Sequence, residues 1–146
     1  MKLKKLNSFK VKVPSKSLNE GFLRATATAF SAQLDPTVDE ISDIKTAISE
    51  AVTNCIVHAY KDTIGTITLT GEILTDNVLR FKIRDEGCGI QDVNLAMQPL
   101  YTTGDVEERA GLGFAVMQSF MDKVKVRSKL GRGTTVLMEK KITSKE

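Results

Sequence analysis

The chain has 146 residues, 41% hydrophobic and 27% charged, enough for one domain with a hydrophobic core and too apolar for a disordered chain. A net charge of +3 and the lack of any apolar run near the ~18 residues of a membrane span lead us to expect a cytoplasmic protein that binds neither nucleic acid nor membrane. The two cysteines, Cys55 and Cys88, form no CxxC and no metal-ligand cluster, and are expected to be reduced thiols.

Six lysines, from Lys2 to Lys16, precede the first acid, Glu20. They suggest either a nucleic-acid arm or a lysine-decorated edge strand. The second is favoured because Phe9 is the only ring there, so bases would have no stacking platform. Phe9, Val11 and Val13 alternate with Lys10 and Lys12, a strand with one buried face that Pro14 ends. Ser17-Leu18-Asn19-Glu20 has the form of a capping box, predicting a helix from about Leu18 with Leu18, Phe22, Ala25 and Ala29 as its apolar stripe. Leu34-Asp35-Pro36 is a break. A second capping box, Thr37-Val38-Asp39-Glu40, predicts a longer helix to about Tyr60, with Ile41, Ile44, Ile48, Val52, Cys55 and Ala59 facing the core.

On the opposite side of that helix lie Glu50 and, one turn on, Asn54. From Thr46 to Tyr60 Glu50 is the sole formal charge, and a carboxylate in apolar surroundings is costly without a role. The pair is therefore expected to line a cavity. Thr66–Leu74 and Val78–Ile83 alternate with period two around the turn Thr75-Asp76-Asn77, predicting a hairpin. Asp85-Glu86-Gly87-Cys88-Gly89-Ile90 follows as a glycine turn. Residues 92–109 are aperiodic and read as a loop or lid. Gly111-Leu112-Gly113 opens a helix to about Met121. Two strands, Val124–Ser128 and Thr134–Glu139, close the chain around Gly131-Arg132-Gly133. Hairpins with helices gathered between them predict a single α+β domain over residues 1–146, a two-layer α/β sandwich with a mixed, largely antiparallel sheet.

These residues suit a nucleotide with magnesium. Magnesium is hard, keeps waters and phosphate oxygens, and takes few protein ligands. The Asn54 amide oxygen fits it without adding negative charge beside a triphosphate. Glu50 is placed to act as a general base toward a hydroxyl attacking the terminal phosphate, a reaction that needs chiefly positioning and charge neutralisation. Gly87 and Gly89 would permit positive φ and close approach to a flat ligand. Asp85 would accept a hydrogen bond from an adenine amino group. Bare amides at the helix opened by Gly111-Leu112-Gly113 would receive phosphate, with Arg109 reaching the terminal one. Each glycine turn alone is better explained as an ordinary hairpin or helix-start turn, and the set in this order carries the signal. His58, the single histidine, is read as a packed or capping residue.

Glu50-Ala51-Val52-Thr53-Asn54, Asp85 to Ile90, Gly111-Leu112-Gly113 and Gly133-Thr134-Thr135 resemble the N, G1, G2 and terminal boxes of the Bergerat-fold (GHKL) ATPases. Phe22–Tyr60 and Gln98–Asp122 are similar to the stand-alone anti-sigma F serine kinases of sporulating bacteria. The resemblance implies a homodimer binding ATP or ADP and Mg2+, which sequesters a sporulation sigma factor (sigma F) and phosphorylates its anti-anti-sigma partner SpoIIAA on serine. It implies Glu50 as catalytic base and Asn54 as metal ligand. It implies nucleotide contacts from Asn54, Asp85, Gly87, Gly89, Ile90, Thr102, Thr103, Arg109, Gly111, Leu112, Gly113 and Thr134. Arg24 matches a residue that contacts the sigma factor; without the family it reads as a solvated helix arginine. Stress-response relatives of RsbW type share this pocket. A nucleotide-gated binding module and a small ATPase are the other readings.

Overall fold

The computed structural model describes residues 2–60, 63–89, 97 and 112–143. In chain order they form β1 (Lys5–Pro14), α1 (Leu18–Ser31), α2 (Val38–Asn54), which runs on as a π-helical turn (Cys55–Ala59), β2 (Thr66–Leu74), β3 (Val78–Asp85), α3 (Leu112–Phe120), β4 (Lys123–Lys129) and β5 (Gly133–Lys141). The strands make one five-stranded sheet in the order β1-β2-β3-β5-β4. All four ladders described are antiparallel, so the expected mixed character does not appear among these strands.

Period-two patterning sends Ile67, Leu69, Leu79, Phe81, Ile83, Val136 and Met138 to the face that the helices cover. Leu23 and Ala27 of α1, Ile44, Ile48 and Val52 of α2, and Met117 of α3 meet them in one core. The other face carries Lys10, Lys12, Lys82, Arg84, Lys125 and Arg127 on partnered strands. Strand β1 is an edge, as its lysines suggested.

Helix α2 starts on a complete capping box: Thr37 Oγ1 accepts the Glu40 N–H at 3.1 Å, and Glu40 Oε1 accepts the Thr37 N–H at 2.8 Å. Helix α1 departs from expectation twice. Ser17 makes no side-chain cap, because its own backbone is helical and the Glu20 N–H goes to the Ser17 carbonyl at 3.2 Å, while the Glu20 carboxylate turns to Arg24 and to the Ser49 hydroxyl on α2. The apolar stripe is also rotated by about one residue. Leu23, Ala27 and Phe30 are buried, whereas Leu18, Phe22, Ala25 and Ala29 are all exposed. The Phe30 ring meets Phe9 of β1 edge-on, centroids 4.7 Å apart, which helps set that rotation.

The expected helix to Tyr60 is α-helical only to Asn54. Its last turn widens, with the Tyr60 N–H reaching the Cys55 carbonyl at 3.1 Å. Such π turns recur at functional sites.

Candidate functional site

Glu50 and Asn54 come from the last two turns of α2, one turn apart on a face that points toward α3. Glu50 is buried, 8% exposed. Asn54 is half-buried. Gly113, the second residue of α3, lies directly against both. A Cβ there would stand 3.0 Å from Asn54 Nδ2, 3.2 Å from Asn54 Oδ1 and 3.4 Å from Glu50 Oε2. A helix start is thereby held within reach of a carboxylate and an amide. Unpaired amides and the positive dipole end at such a start favour an anion.

Asp85 ends β3, 5% exposed. Its Oδ1 accepts the N–H groups of Gly87 at 3.0 Å and Thr134 at 3.2 Å. The Cys55 thiol of the π turn lies 3.6 Å from Oδ2. Burial raises the Asp85 pKa above its usual 3.8, against the opposing pull of these three donors. Burial, then the negative Asp85 beside it, pushes the Cys55 thiol well up, so it remains an S–H donor. Thr134, itself buried, shares a 2.7 Å hydroxyl contact with Ser128 on the neighbouring strand.

The glycine turn after β3 is clamped by the chain's own backbone. Cys88 N–H donates to the Ala59 carbonyl at 3.3 Å, and Gly131 N–H to the Cys88 carbonyl at 2.7 Å. A Cβ on Gly87 would overlap Ala59, and one on Gly89 would overlap the Lys129 carbonyl. Gly89 has φ of +78° as expected; Gly87 is not among the positive-φ residues, so that part of the reading is corrected. Both are small because protein backbone passes there. Tyr60, which no sequence motif marks as a site residue, braces the same turn, its hydroxyl accepting the Glu86 N–H at 2.6 Å and donating to Thr66 O at 2.8 Å. Its only sequence signal was a large polar-tipped ring ending an apolar helix.

Arg24 is not simply solvated. Its guanidinium donates to Glu20 at 3.0 Å and to Ser49 Oγ at 3.2 Å while 43% of the side chain remains exposed. His58 is half-buried on the π turn. Cys55 and Cys88 are free thiols. Ile90, Thr102, Thr103, Arg109 and Gly111 lie outside the described residues, as does the loop or lid expected over residues 92–109 apart from Met97; Leu112 opens α3 as expected. A separate open depression of about 490 Å³, lined by Ser15, Lys16, Ile56, Tyr60 and Ile64, shares none of the predicted site residues. Among the described residues no helix is long and apolar enough to cross a membrane, and no cluster of three or more His, Cys, Asp or Glu could hold a metal ion.

A helical layer on one antiparallel sheet, with a buried acid and an amide at the end of the central helix, defines an ATP-binding domain of the GHKL type. Residues 15–140 match the histidine kinase-like ATPase domain family. The fold is that of the RsbU and RsbW domains of Rv1364c from Mycobacterium tuberculosis (TM-score 0.68, 18% identity, 94% of this chain and 32% of that one). It is also that of the mycobacterial sensor histidine kinase MprB (TM-score 0.59, 13% identity, 91% and 100%). In sequence the chain is 58% identical over 93% of its length to the anti-sigma F factor of Caldanaerobacter subterraneus subsp. tengcongensis, covering 94% of that protein. It is 47% identical over 92% of its length to the anti-sigma F factor of Clostridium acetobutylicum, again covering 94%. The chain belongs to the anti-sigma F factor family.

Proposed function

We propose that this protein is a cytoplasmic, homodimeric anti-sigma factor that is also an ATP- and magnesium-dependent protein serine kinase. It sequesters a sporulation sigma factor, sigma F, and phosphorylates the anti-anti-sigma partner SpoIIAA on serine. The observation that carries the kinase half is the placement of Glu50: a buried carboxylate, one turn from Asn54, facing a glycine at the start of α3. Sequestration alone requires no such acid. The names of the relatives support the sigma-binding half.

In this reading Glu50 accepts the proton of the substrate serine hydroxyl as its oxygen attacks the terminal phosphorus and the bond from that phosphorus to the bridging oxygen breaks, releasing ADP. Asn54 offers an amide oxygen to magnesium, which when bound neutralises charge on the phosphates. Asp85 receives the adenine amino group, with Thr134 beside it. Gly111 and the start of α3 at Leu112 and Gly113 take phosphate oxygens. Thr102, Thr103, Arg109 and Ile90 complete the nucleotide contacts, and Arg24 meets the sigma factor.

The test is to mix wild type and Glu50→Gln with labelled ATP, the sigma factor and the anti-anti-sigma protein. Label on the small protein with wild type only, with nucleotide and sigma binding kept by the variant, is the expected result. Free phosphate in place of protein label would make the chain an ATPase. No turnover at all would leave a nucleotide-gated binding module, and phosphate transfer by Glu50→Gln would remove Glu50 as base.

A further inference from the structure

We infer that the Cys55 thiol is a positioning residue for nucleotide selection: it holds the Asp85 carboxylate so that one acceptor position remains for the 6-amino group of a purine. This rests on the reading of Asp85 as the adenine partner. Each carboxylate oxygen has two acceptor positions. On Oδ1 both are taken, by the N–H groups of Gly87 and Thr134. On Oδ2 the Cys55 thiol, at 3.6 Å, takes one. Among the described residues that leaves a single position, on Oδ2. A donor there, such as an adenine N–H, is welcome; a guanine carbonyl oxygen would face a negative oxygen at close range.

The thiol is a weak donor, and its part is to fix the direction of Oδ2. Cys55 and Asp85 are 4% and 5% exposed, and in such surroundings even a weak contact is felt. Cys55 is the first residue after α2 and keeps the α-helical bond of its N–H to the Ala51 carbonyl, so the regular end of that helix presents its thiol to Asp85. Among the described residues, the titratable groups bearing on Asp85 from the packed elements are Cys55 and Tyr60; β5 and the glycine turn present backbone N–H donors. Tyr60 has its proton committed to Thr66, leaving Cys55 as the side chain that donates to the carboxylate.

The experiment uses Cys55→Ala and Cys55→Ser in the full chain, with Asp85→Asn as reference. ADP and GDP affinities are measured by calorimetry, and the Asp85 carboxyl is titrated by 13C NMR without nucleotide. Loss of one net hydrogen bond predicts about a three- to tenfold weaker ADP affinity in Cys55→Ala, with GDP unchanged. Its Asp85 titration midpoint should rise, since a donor to the charged form is gone. Cys55→Ser, which keeps shape and donates more strongly, should bind ADP like wild type and titrate at or below it. Wild-type behaviour of both variants, or equal losses in both, would overturn the positioning role while Asp85→Asn still abolished ADP binding. Undiminished ADP binding by Asp85→Asn would instead sink the adenine reading, and the selection role with it.

Discussion

Glu40 is a carboxylate whose burial is repaid by donors. It is 9% exposed, and its oxygens accept the Thr37 N–H, the Thr143 N–H at 2.9 Å and the Thr143 hydroxyl at 3.0 Å. Burial pushes its pKa up, but the donors from Thr143 and Thr37 outweigh it and hold the group below its usual 4.5. A depressed folded-state pKa contributes stability that is present above the unfolded value and lost as pH falls through the folded one. Glu40→Gln should therefore cost about 1–2 kcal/mol at pH 7 in urea unfolding. The difference from wild type should shrink as pH falls below about 4.5. A constant difference at all pH values would contradict this. Arg24 is a second residue-scale case. It pairs with Glu20 one turn away and with Ser49 of α2, so Arg24→Glu sets two acids side by side and removes both bonds, a loss of about 1 kcal/mol at this partly exposed position. If Arg24 meets the sigma factor, the variant should lose sigma capture in a pull-down while its kinase rate stays at the wild-type value.

At the scale of elements, the site depends on how closely α3 approaches the end of α2. Gly113 is the point of contact, and alanine there would press on Asn54 and Glu50 while otherwise favouring the helix. Gly113→Ala is expected to fold with near-native stability but to weaken magnesium-dependent ATP binding by about tenfold or more, as a displaced site group would. Asn54→Ala should do the same. Gly21→Ala in α1, whose added Cβ would meet only the Arg24 guanidinium at 3.7 Å, is the control and should bind ATP normally. Equal titrations for all three would reject the roles of Gly113 and Asn54. The π turn was not legible in the sequence. Cys55-Ile56-Val57-His58-Ala59 has no glycine or proline to mark it, and the widening lets the Ala59 carbonyl receive the Cys88 N–H from the distant glycine turn. Tertiary contact, not local propensity, sets it.

For the whole molecule, hairpin strands and the long central helix were legible because alternation and capping are local signals. The orientation of α1 was not. Leu18, Phe22, Ala25 and Ala29 have proper helical spacing, yet Leu23, Ala27 and Phe30 have it too, and only the sheet beneath selects between the two stripes. Leu23→Ala is thus expected to cost about 2–5 kcal/mol in chemical denaturation. Phe22→Ala, at a position 52% exposed, should cost clearly less. The reverse order would mean that α1 packs by the other face.

Sequence alone determined the α+β class, the hairpins, both helix starts, and the acid, amide and glycines that chemistry would recruit, because each is written in neighbouring residues. Only the tertiary structure decided which face of α1 is buried and that Gly113 touches Asn54 and Glu50. It likewise brought Cys55 against Asp85, thirty residues on. Those contacts join segments far apart in the chain, and their geometry follows from packing against one shared sheet.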